Sequence, residues 1–240
     1  MGEILVLFSK PKGIIPACDF PGIELFEKLI KATCDIEGIV GYKIGCILGL
    51  RYGLTKLVSL SENYTDIPII YDHQKSGTDI PQMGEIFANT CSEAGIKGVI
   101  IFPQSGPTTE ESFINAAKKA NLIPIVGGEM THPKYLERDG GFIRDNAPKE
   151  MYQIAARNDV DHFVIPGNKP EAINSYHKLL SSEIEHPIYC LPGIGRQGGD
   201  IKSSFRYLEG FSAYAIVGTS IYGEADIRSA AKKLCGEVLE

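Results

Sequence analysis

Short apolar runs recur along the chain, and each ends in Asp, Pro or Gly. Eight of them have the length of a strand: residues 14–19, 39–45, 68–72, 98–103, 123–128, 162–167, 187–193 and 214–218. Their apolar character is nearly continuous rather than alternating, which is typical of parallel strands buried on both faces of a sheet. Residues 4–8 form one more apolar run, which predicts a short extra strand or a plug ahead of the main fold.

Helical periodicity fills the segments between the runs. Apolar residues follow a three-and-four spacing from Ile23 to Thr33, Thr108 and Glu111 predict a capping box, and Pro170 suits a first helical turn. Eight strand–helix units predict a (β/α)8 TIM barrel, a single domain over residues 1–240. A doubly wound open sheet is the rival, but no Gly-x-Gly-x-x-Gly follows the first strand.

Composition narrows the function classes. The chain has 240 residues, is 43% hydrophobic and carries a net charge of −6 without basic blocks, which argues against nucleic-acid binding. No apolar run has the roughly 18–20 residues of a membrane span, and the N-terminus lacks a signal-peptide pattern. Six scattered cysteines without a Cys-x-x-Cys pair predict reduced thiols and a cytoplasmic protein.

Charged residues cluster where the first three strands end. Asp19 ends the first strand, Lys43 lies near the end of the second, and Asp72, Lys75 and Asp79 follow the third. Barrel enzymes carry their chemistry at these ends. Neighbouring carboxylates keep a lysine charged, and such an array can act on a reacting carbon. The alternatives are an N-cap for Asp19, a solvated rim position for Lys43, and an ion-pair network that is only structural.

Glycine-rich segments end the seventh and eighth strands. The first spans Pro192 to Asp200 and the second begins at Val217. Backbone amides in such loops bind phosphate, and barrels commonly bind phosphate at this place. The residues that we assign to a phosphate site are Pro192, Arg196, Gln197, Gly198, Gly218 and Thr219. The alternative is a pair of tight glycine turns.

The fifth strand is followed by Gly128-Glu129-Met130-Thr131-His132-Pro133. Thr131 has the hydroxyl group to hydrogen-bond a substrate heterocycle, and Glu129 is expected to pair with a lysine in the mouth of the barrel. We interpret His132 as a structural residue. His73 beside Asp72 raises the question of a divalent metal, but no second histidine stands in a matching position, so we predict no metal site.

Together these motifs resemble the orotidine 5′-monophosphate decarboxylase family. Asp72, Lys75 and Asp79-Ile80-Pro81 are similar to its Asp-x-Lys-x-x-Asp-Ile-Pro signature, and Lys43-Ile44-Gly45 resembles its second-strand lysine. The segment from Glu129 to Pro133 resembles its Glu-Met-Ser-His-Pro. Asp19, the 192–200 loop and the 217–222 segment also match in order, so the resemblance covers nearly the whole chain.

The resemblance implies a cofactor-free lyase that converts orotidine 5′-monophosphate (OMP) to uridine 5′-monophosphate (UMP). It implies that Asp72 crowds the substrate carboxylate, that Lys75 protonates the carbanion, and that Lys43 orients the array. Asp19 would then bind the ribose, Thr131 the pyrimidine and Gln197 the phosphate. It also implies a homodimer with shared sites, in which Asp79 and Ile80 reach the partner's cavity.

Two departures from the family pattern stand out. The signature is longer by one residue on each side of Lys75. We expect a bulge or an early strand end at 73–74 to absorb the first insertion, and Gly77 to absorb the second. Thr219 stands where the family has a phosphate-binding arginine, and Arg196 is the candidate substitute.

Other functions remain open at this point. One is a magnesium-dependent keto-sugar-phosphate decarboxylase or synthase of the same superfamily, or an epimerase with Asp72 and His73 as metal ligands. Another is a non-catalytic nucleotide-binding relative whose longer signature misplaces Lys75.

Overall fold

The structure of the protein is a computed structural model, and it describes residues 6–73 and 77–239. Eight parallel strands close into a barrel in chain order, which confirms the predicted TIM barrel. They are β1 (Lys12–Cys18), β2 (Tyr42–Gly45), β3 (Ile69–Asp72), β4 (Gly98–Ile101), β5 (Ile123–Gly127), β6 (His162–Val164), β7 (Ile188–Pro192) and β8 (Ser212–Val217). The single-domain organisation over residues 1–240 stays a prediction.

Helices surround the barrel. They are α1 (Ile23–Thr33), α2 (Cys46–Tyr52), α3 (Leu54–Glu62), α4 (Met83–Glu93), α5 (Pro107–Lys119), α6 (Ala147–Arg157), α7 (Pro170–Glu183), α8 (Ile201–Arg206), α9 (Thr219–Tyr222) and α10 (Ile227–Leu239). A 3-10 turn (Glu137–Asp139) lies in the long connection between β5 and α6. Within the described ranges, no helix is long and apolar enough to cross a membrane.

Two layers of buried side chains follow from the alternation along the strands. One layer points into the barrel and includes Ile70, Ile100 and Ile125; the other faces the helices and includes Tyr42, Val99 and Phe163. Because every strand is covered on both sides, both faces are apolar, which explains the unbroken runs in the sequence. The barrel interior is therefore packed, and only the ends of the strands are available for polar chemistry.

The N-terminal end of the barrel is closed by residues that precede β1. Leu7 and Phe8 are both 6% exposed and belong to the interior layer. The ring of Phe8 lies 4.1 Å from that of Tyr214, measured between centroids. For these two residues the plug is the correct interpretation of the 4–8 run, whereas Ile4 and Leu5 lie outside the described residues.

Some predicted details are wrong. Helix α5 begins at Pro107 behind Gly106, and no side chain caps it, so Thr108 lies inside the first turn instead of forming a capping box with Glu111. Proline fits the first helical position because its missing N–H would have no partner there. The expected first-turn position of Pro170 in α7 is confirmed.

Candidate active site

A cavity of about 330 Å³ opens at the carboxyl ends of the strands, and we call it the mouth cavity. Side chains from the ends of β1, β2 and β3 form one side of it, and the loops after β7 and β8 form the side next to β1, since β8 pairs with β1. Its lining comprises Ala17, Asp19, Lys43, Asp72, Ile100, Phe102, Glu129, Met130, Thr131, His132, Val164, Pro192, Gly193, Ile194, Arg196, Gln197, Ile216, Gly218, Thr219 and Tyr222.

Lys43 is the centre of the charged side. Its Nζ lies 2.8 Å from Oδ2 of Asp72 and 3.1 Å from Oδ1 of Asp19. Lys43 is 6% exposed and Asp72 4%, whereas about half of the Asp19 side chain is exposed. Burial alone would lower the pKa of Lys43, but the carboxylates of Asp72 and Asp19 more than offset it and raise that pKa above the usual value. The ammonium group therefore stays charged at neutral pH.

Strand register places these three groups together. Ala17 pairs with Lys43 across β1 and β2, and Gly45 pairs with Asp72 across β2 and β3. Lys43 and Asp72 thus project into the barrel at nearby levels from adjacent strands. Gly45 also makes room for Asp19, since a Cβ at this position would overlap the Asp19 carboxylate. The Lys43-Ile44-Gly45 motif therefore supplies both the cation and the space for its second partner.

The β5 side of the cavity wall contains a second ion pair, whose carboxylate is buried. Glu129 is 1% exposed, and its Oε1 lies 2.8 Å from Nζ of Lys169, which also donates to the backbone oxygen of Met130 at 2.9 Å. Tyr176 donates to the other carboxylate oxygen of Glu129. Burial, reinforced by neighbouring groups that include Glu129, raises the pKa of Tyr176, so its hydroxyl stays protonated. This network holds the segment that carries Thr131.

Backbone hydrogen bonds shape the glycine-rich loop after β7. The amide of Gly195 donates to the oxygen of Gly199 at 2.8 Å, and the amide of Gly199 donates to Gly193 at 3.0 Å. Asn168 ties this loop to the β5 side, because its Nδ2 donates to Thr131 O at 3.1 Å and to Gln197 O at 3.3 Å. The loop is thus folded back on itself, and Arg196 and Gln197 line the cavity.

Arg196 extends towards the end of β8. A Cβ built on Gly223 would lie 3.3 Å from Nη2 of Arg196, and Gly223 directly follows α9, which starts at Thr219. Burial raises the pKa of Tyr222. The charge of Asp19 raises this pKa further, whereas the charge of Arg196 lowers it. The guanidinium group therefore lies beside the helix whose first residue is Thr219.

Comparison with known proteins decides the family. A sequence profile described as "Orotidine 5'-phosphate decarboxylase / HUMPS family" matches residues 12–234. The chain belongs to this family. It is 31% identical over 212 residues to an orotidine 5'-phosphate decarboxylase of Thermococcus kodakarensis, covering 87% of this chain and 89% of the relative. A Methanococcoides burtonii protein of the same name is 29% identical, with 96% and 99% covered.

Solved structures of similar fold agree with this assignment. The crystal structure of orotidine 5'-phosphate decarboxylase from Pyrococcus horikoshii OT3 has a TM-score of 0.77 and 28% identity, and the match covers 95% of this chain and 99% of that one. The Methanocaldococcus jannaschii enzyme complexed with inhibitor BMP has a TM-score of 0.82 over the same shares. At 24% identity the second match establishes the barrel fold alone.

Most of the predicted site residues of this family member lie in the mouth cavity. They are Asp19, Lys43, Asp72, Thr131, Pro192, Arg196, Gln197, Gly218 and Thr219. Gly198 lies in the β7 loop but is not part of the lining. Asp79 and Ile80 are exposed outside the cavity, and Asp79 Oδ1 accepts from the amide of Ile80 at 2.7 Å. Lys75, with Gln74 and Ser76, lies outside the described residues.

His73 points away from the cavity. It shares a hydrogen bond with the hydroxyl of Tyr71 and lies edge-on to Phe87 of α4, whereas Asp72 points into the barrel. The two side chains are therefore on opposite faces of the strand, which separates the metal ligands that the epimerase alternative needs. Among the described residues, no three His, Cys, Asp or Glu side chains are grouped so that they could hold a metal ion.

Sequence reasoning missed several contacts of the site. The lysine that pairs with Glu129 is Lys169, which precedes α7 and does not line the mouth cavity. Tyr222 and Phe102 were not assigned to the site. Gly77 has a φ of +83°, a backbone conformation that favours glycine. This conformation agrees with a local adjustment of the chain at the insertion between Lys75 and Asp79.

Proposed function

We propose that this protein is an orotidine 5′-monophosphate decarboxylase, which converts OMP to UMP and carbon dioxide. The observation that carries the proposal is Lys43 held between Asp19 and Asp72 in the mouth cavity of a chain of this family. The relatives named above are orotidine 5'-phosphate decarboxylases by name. We infer the same activity for this chain, and we infer that the reaction needs no cofactor.

In the proposed reaction the bond between C6 of the pyrimidine and the carboxylate breaks, and the electron pair stays on C6. Asp72 lies beside the substrate carboxylate and destabilises it by like charge, a penalty that is relieved as carbon dioxide leaves. A lysine ammonium stabilises the negative charge on C6 and donates the proton that forms UMP. We assign that donor to Lys75, which rests on the signature resemblance.

Lys43 has a different role in this proposal. Its ammonium is held by two carboxylates and contacts the ribose while it fixes the position of Asp72. Asp19, whose side chain is half exposed in the cavity, accepts a hydrogen bond from a ribose hydroxyl. Thr131, across the cavity, binds the polar edge of the pyrimidine.

The phosphate is assigned to the loops after β7 and β8. Gly193, Ile194, Arg196 and Gln197 of the loop after β7 line this part of the cavity, together with the Gly218-Thr219 turn. Arg196 lies beside α9, and this supports its role as the substitute for the arginine that the family has at Thr219. Binding energy from the phosphate, far from C6, is then available to stabilise the transition state.

We further propose a homodimer in which Asp79 and Ile80 complete the partner's cavity. Both are exposed and neither lines its own mouth cavity, and Ile80 is 59% exposed. Leu50 of α2 and Ile86 of α4 are also exposed apolar residues, at 75% and 60%. Sedimentation would show a dimer, and Ile80→Asp should dissociate it and lower activity together. The cytoplasmic location stays a prediction of the sequence.

The decisive experiment follows the ultraviolet absorbance of OMP during incubation with the purified protein, with and without EDTA. We expect turnover that EDTA does not change. Turnover that is lost with EDTA and restored by Mg²⁺ would favour the magnesium-dependent alternative. UMP binding without turnover would instead indicate a nucleotide-binding relative in which the insertions around Lys75 have misplaced it.

A further inference from the structure

Phe102 covers two strands of the cavity wall. It follows β4, is 3% exposed and lines the mouth cavity. Its ring lies across Gly127 of the neighbouring strand, because a Cβ on Gly127 would stand 2.6 and 2.7 Å from the two Cε atoms of the ring. The ring therefore occupies the space that an inward-facing side chain of β5 would fill.

Strand order places this ring between two groups of the proposed site. In the closed barrel β3 carries Asp72, β4 leads to Phe102, and β5 leads to Thr131. Asp72 pairs in register with Ile100, two residues before Phe102. Phe102 therefore lies on the part of the cavity wall between Asp72 and Thr131, beside a planar ligand that reaches from one to the other.

The order of atoms in the pyrimidine matches this order of strands. If OMP binds as proposed, C6 with its carboxylate lies at Asp72, and the edge formed by C4 and N3 lies at Thr131. On the side of the ring away from N1 and the ribose, C5 is the atom between C6 and C4. The hydrogen on C5 therefore points to Phe102.

We propose that Phe102, held in place by Gly127, is the residue that limits the size of the substituent at C5 of the pyrimidine. This inference rests on the proposed function and adds a specificity determinant to it. Close-packed aromatic walls tolerate little extra volume, and the ring has no room to withdraw because the β5 backbone lies behind it. A large atom on C5 must displace the ring or shift the base from Thr131.

The test is a set of dissociation constants measured by calorimetry for UMP, 5-fluoro-UMP and 5-iodo-UMP. Fluorine withdraws electrons from the pyrimidine ring as iodine does, but it is little larger than hydrogen. The fluorinated ligand therefore distinguishes the effect of substituent size from the effect of electron withdrawal. We expect UMP and 5-fluoro-UMP to bind alike and 5-iodo-UMP to bind about tenfold more weakly or worse. In Phe102→Leu the penalty for iodine should fall to about threefold or less.

Two further variants serve as controls for the role of Phe102. Phe163→Leu removes a comparable ring from the helix-facing layer, outside the cavity, and should leave the iodine penalty as in the wild type. Phe102→Met keeps most of the buried volume with a flexible chain, and should reduce the penalty even if Phe102→Leu does not fold.

The outcomes separate the two proposals. Turnover of OMP and binding of UMP without an iodine penalty, or with a penalty that the Phe102 variants leave unchanged, would overturn the role of Phe102 alone. A wild-type protein that binds no UMP would remove the proposed function, and this inference with it.

Discussion

The two sides of the mouth cavity are built by different means. On the β1–β3 side, Lys43 and Asp72 extend from regular strands, are almost fully buried and bind each other at 2.8 Å. On the β7–β8 side, a loop rich in glycine is held by its own backbone hydrogen bonds, and Arg196 is exposed. The first side depends on buried charges and the second on backbone shape.

This difference teaches where each task of the proposed reaction is located. Charges in a buried, rigid setting interact strongly, which suits the groups that act on the reacting carbon. Backbone amides and an exposed guanidinium suit a phosphate, which is recognised from several directions at once. Substitutions on the two sides should therefore affect different quantities: turnover and stability on one side, and the affinity for phosphorylated ligands on the other.

The largest expected effect is that of Lys75→Ala. If Lys75 is the proton donor, kcat should fall by at least about 10³-fold, because both charge stabilisation and proton transfer are lost. UMP binding should remain measurable by calorimetry. Retained turnover would contradict the assignment of the donor and would mean that another group protonates C6.

Next comes Lys43→Ala, which removes the cation beside a carboxylate that is 4% exposed. We expect a loss of about 3–5 kcal/mol in the free energy of unfolding, measured by urea denaturation, together with a loss of activity. Lys10→Ala is the control, because Lys10 and Glu37 form a pair at 2.6 Å in which both side chains are exposed. That change should cost less than about 1 kcal/mol, and an equal loss in the two variants would refute the contrast.

Glu110 shows what burial does to a carboxyl group that forms no ion pair within the part of the chain that the structure describes. It is 1% exposed, and within the described residues its Oε1 has no hydrogen-bond partner. Burial, with a smaller contribution from Glu111, raises its pKa from 4.5 to about 8. Below about pH 4.5 the group is protonated in both folded and unfolded chains, and between about pH 4.5 and pH 8 only the folded chain retains the proton.

The free energy of unfolding should therefore decrease by about 3–4 kcal/mol from pH 5 to pH 8 through this group. In Glu110→Gln this part of the pH dependence should disappear, and the variant should be more stable than the wild type at pH 8. Urea denaturation at pH 5, 6.5 and 8 measures it. Exposed Glu209→Gln is the control and should leave the wild-type slope unchanged; the same slope in Glu110→Gln would contradict the raised pKa.

The smallest expected effect is that of Arg196→Ala on the phosphate side. Affinity for UMP should fall by about 10- to 100-fold, since a charged hydrogen bond to the phosphate is lost, while affinity for uridine should hardly change. Stability should stay near that of the wild type because the side chain is exposed. Equal weakening of the nucleotide and the nucleoside would remove Arg196 from the phosphate site.

Much of the barrel could be predicted because its determinants are local. Unbroken apolar runs and helical spacing are properties of short segments, and all eight runs became strands. The proximity of Lys43 and Asp72 could be predicted from the sequence, because the carboxyl ends of the strands in a parallel barrel lie on one face. Asp19 and the loop that contains Gln197 follow from the strand ends and the glycine pattern as well, and the family resemblance adds the roles proposed for them.

What could not be predicted depends on contacts between distant segments. Nothing near Glu129 in the sequence indicates that Lys169 and Tyr176, 40 and 47 residues away, are its partners. Phe102 was treated as the end of a strand, since only the structure shows its ring lying across Gly127. The expected capping box at Thr108 is absent because the helix begins at Pro107, two residues earlier than a cap at Thr108 requires.

The two carboxylates around Lys43 also bear on how substrate binding is divided between enthalpy and entropy. A lysine side chain loses up to about 2 kcal/mol of rotamer entropy when it is ordered. Because Asp19 and Asp72 already fix the Lys43 ammonium, this loss occurs once, during folding, and is not repeated at each turnover. Ligand contacts made by Lys43 should therefore carry a smaller entropic penalty than those made by the exposed Arg196.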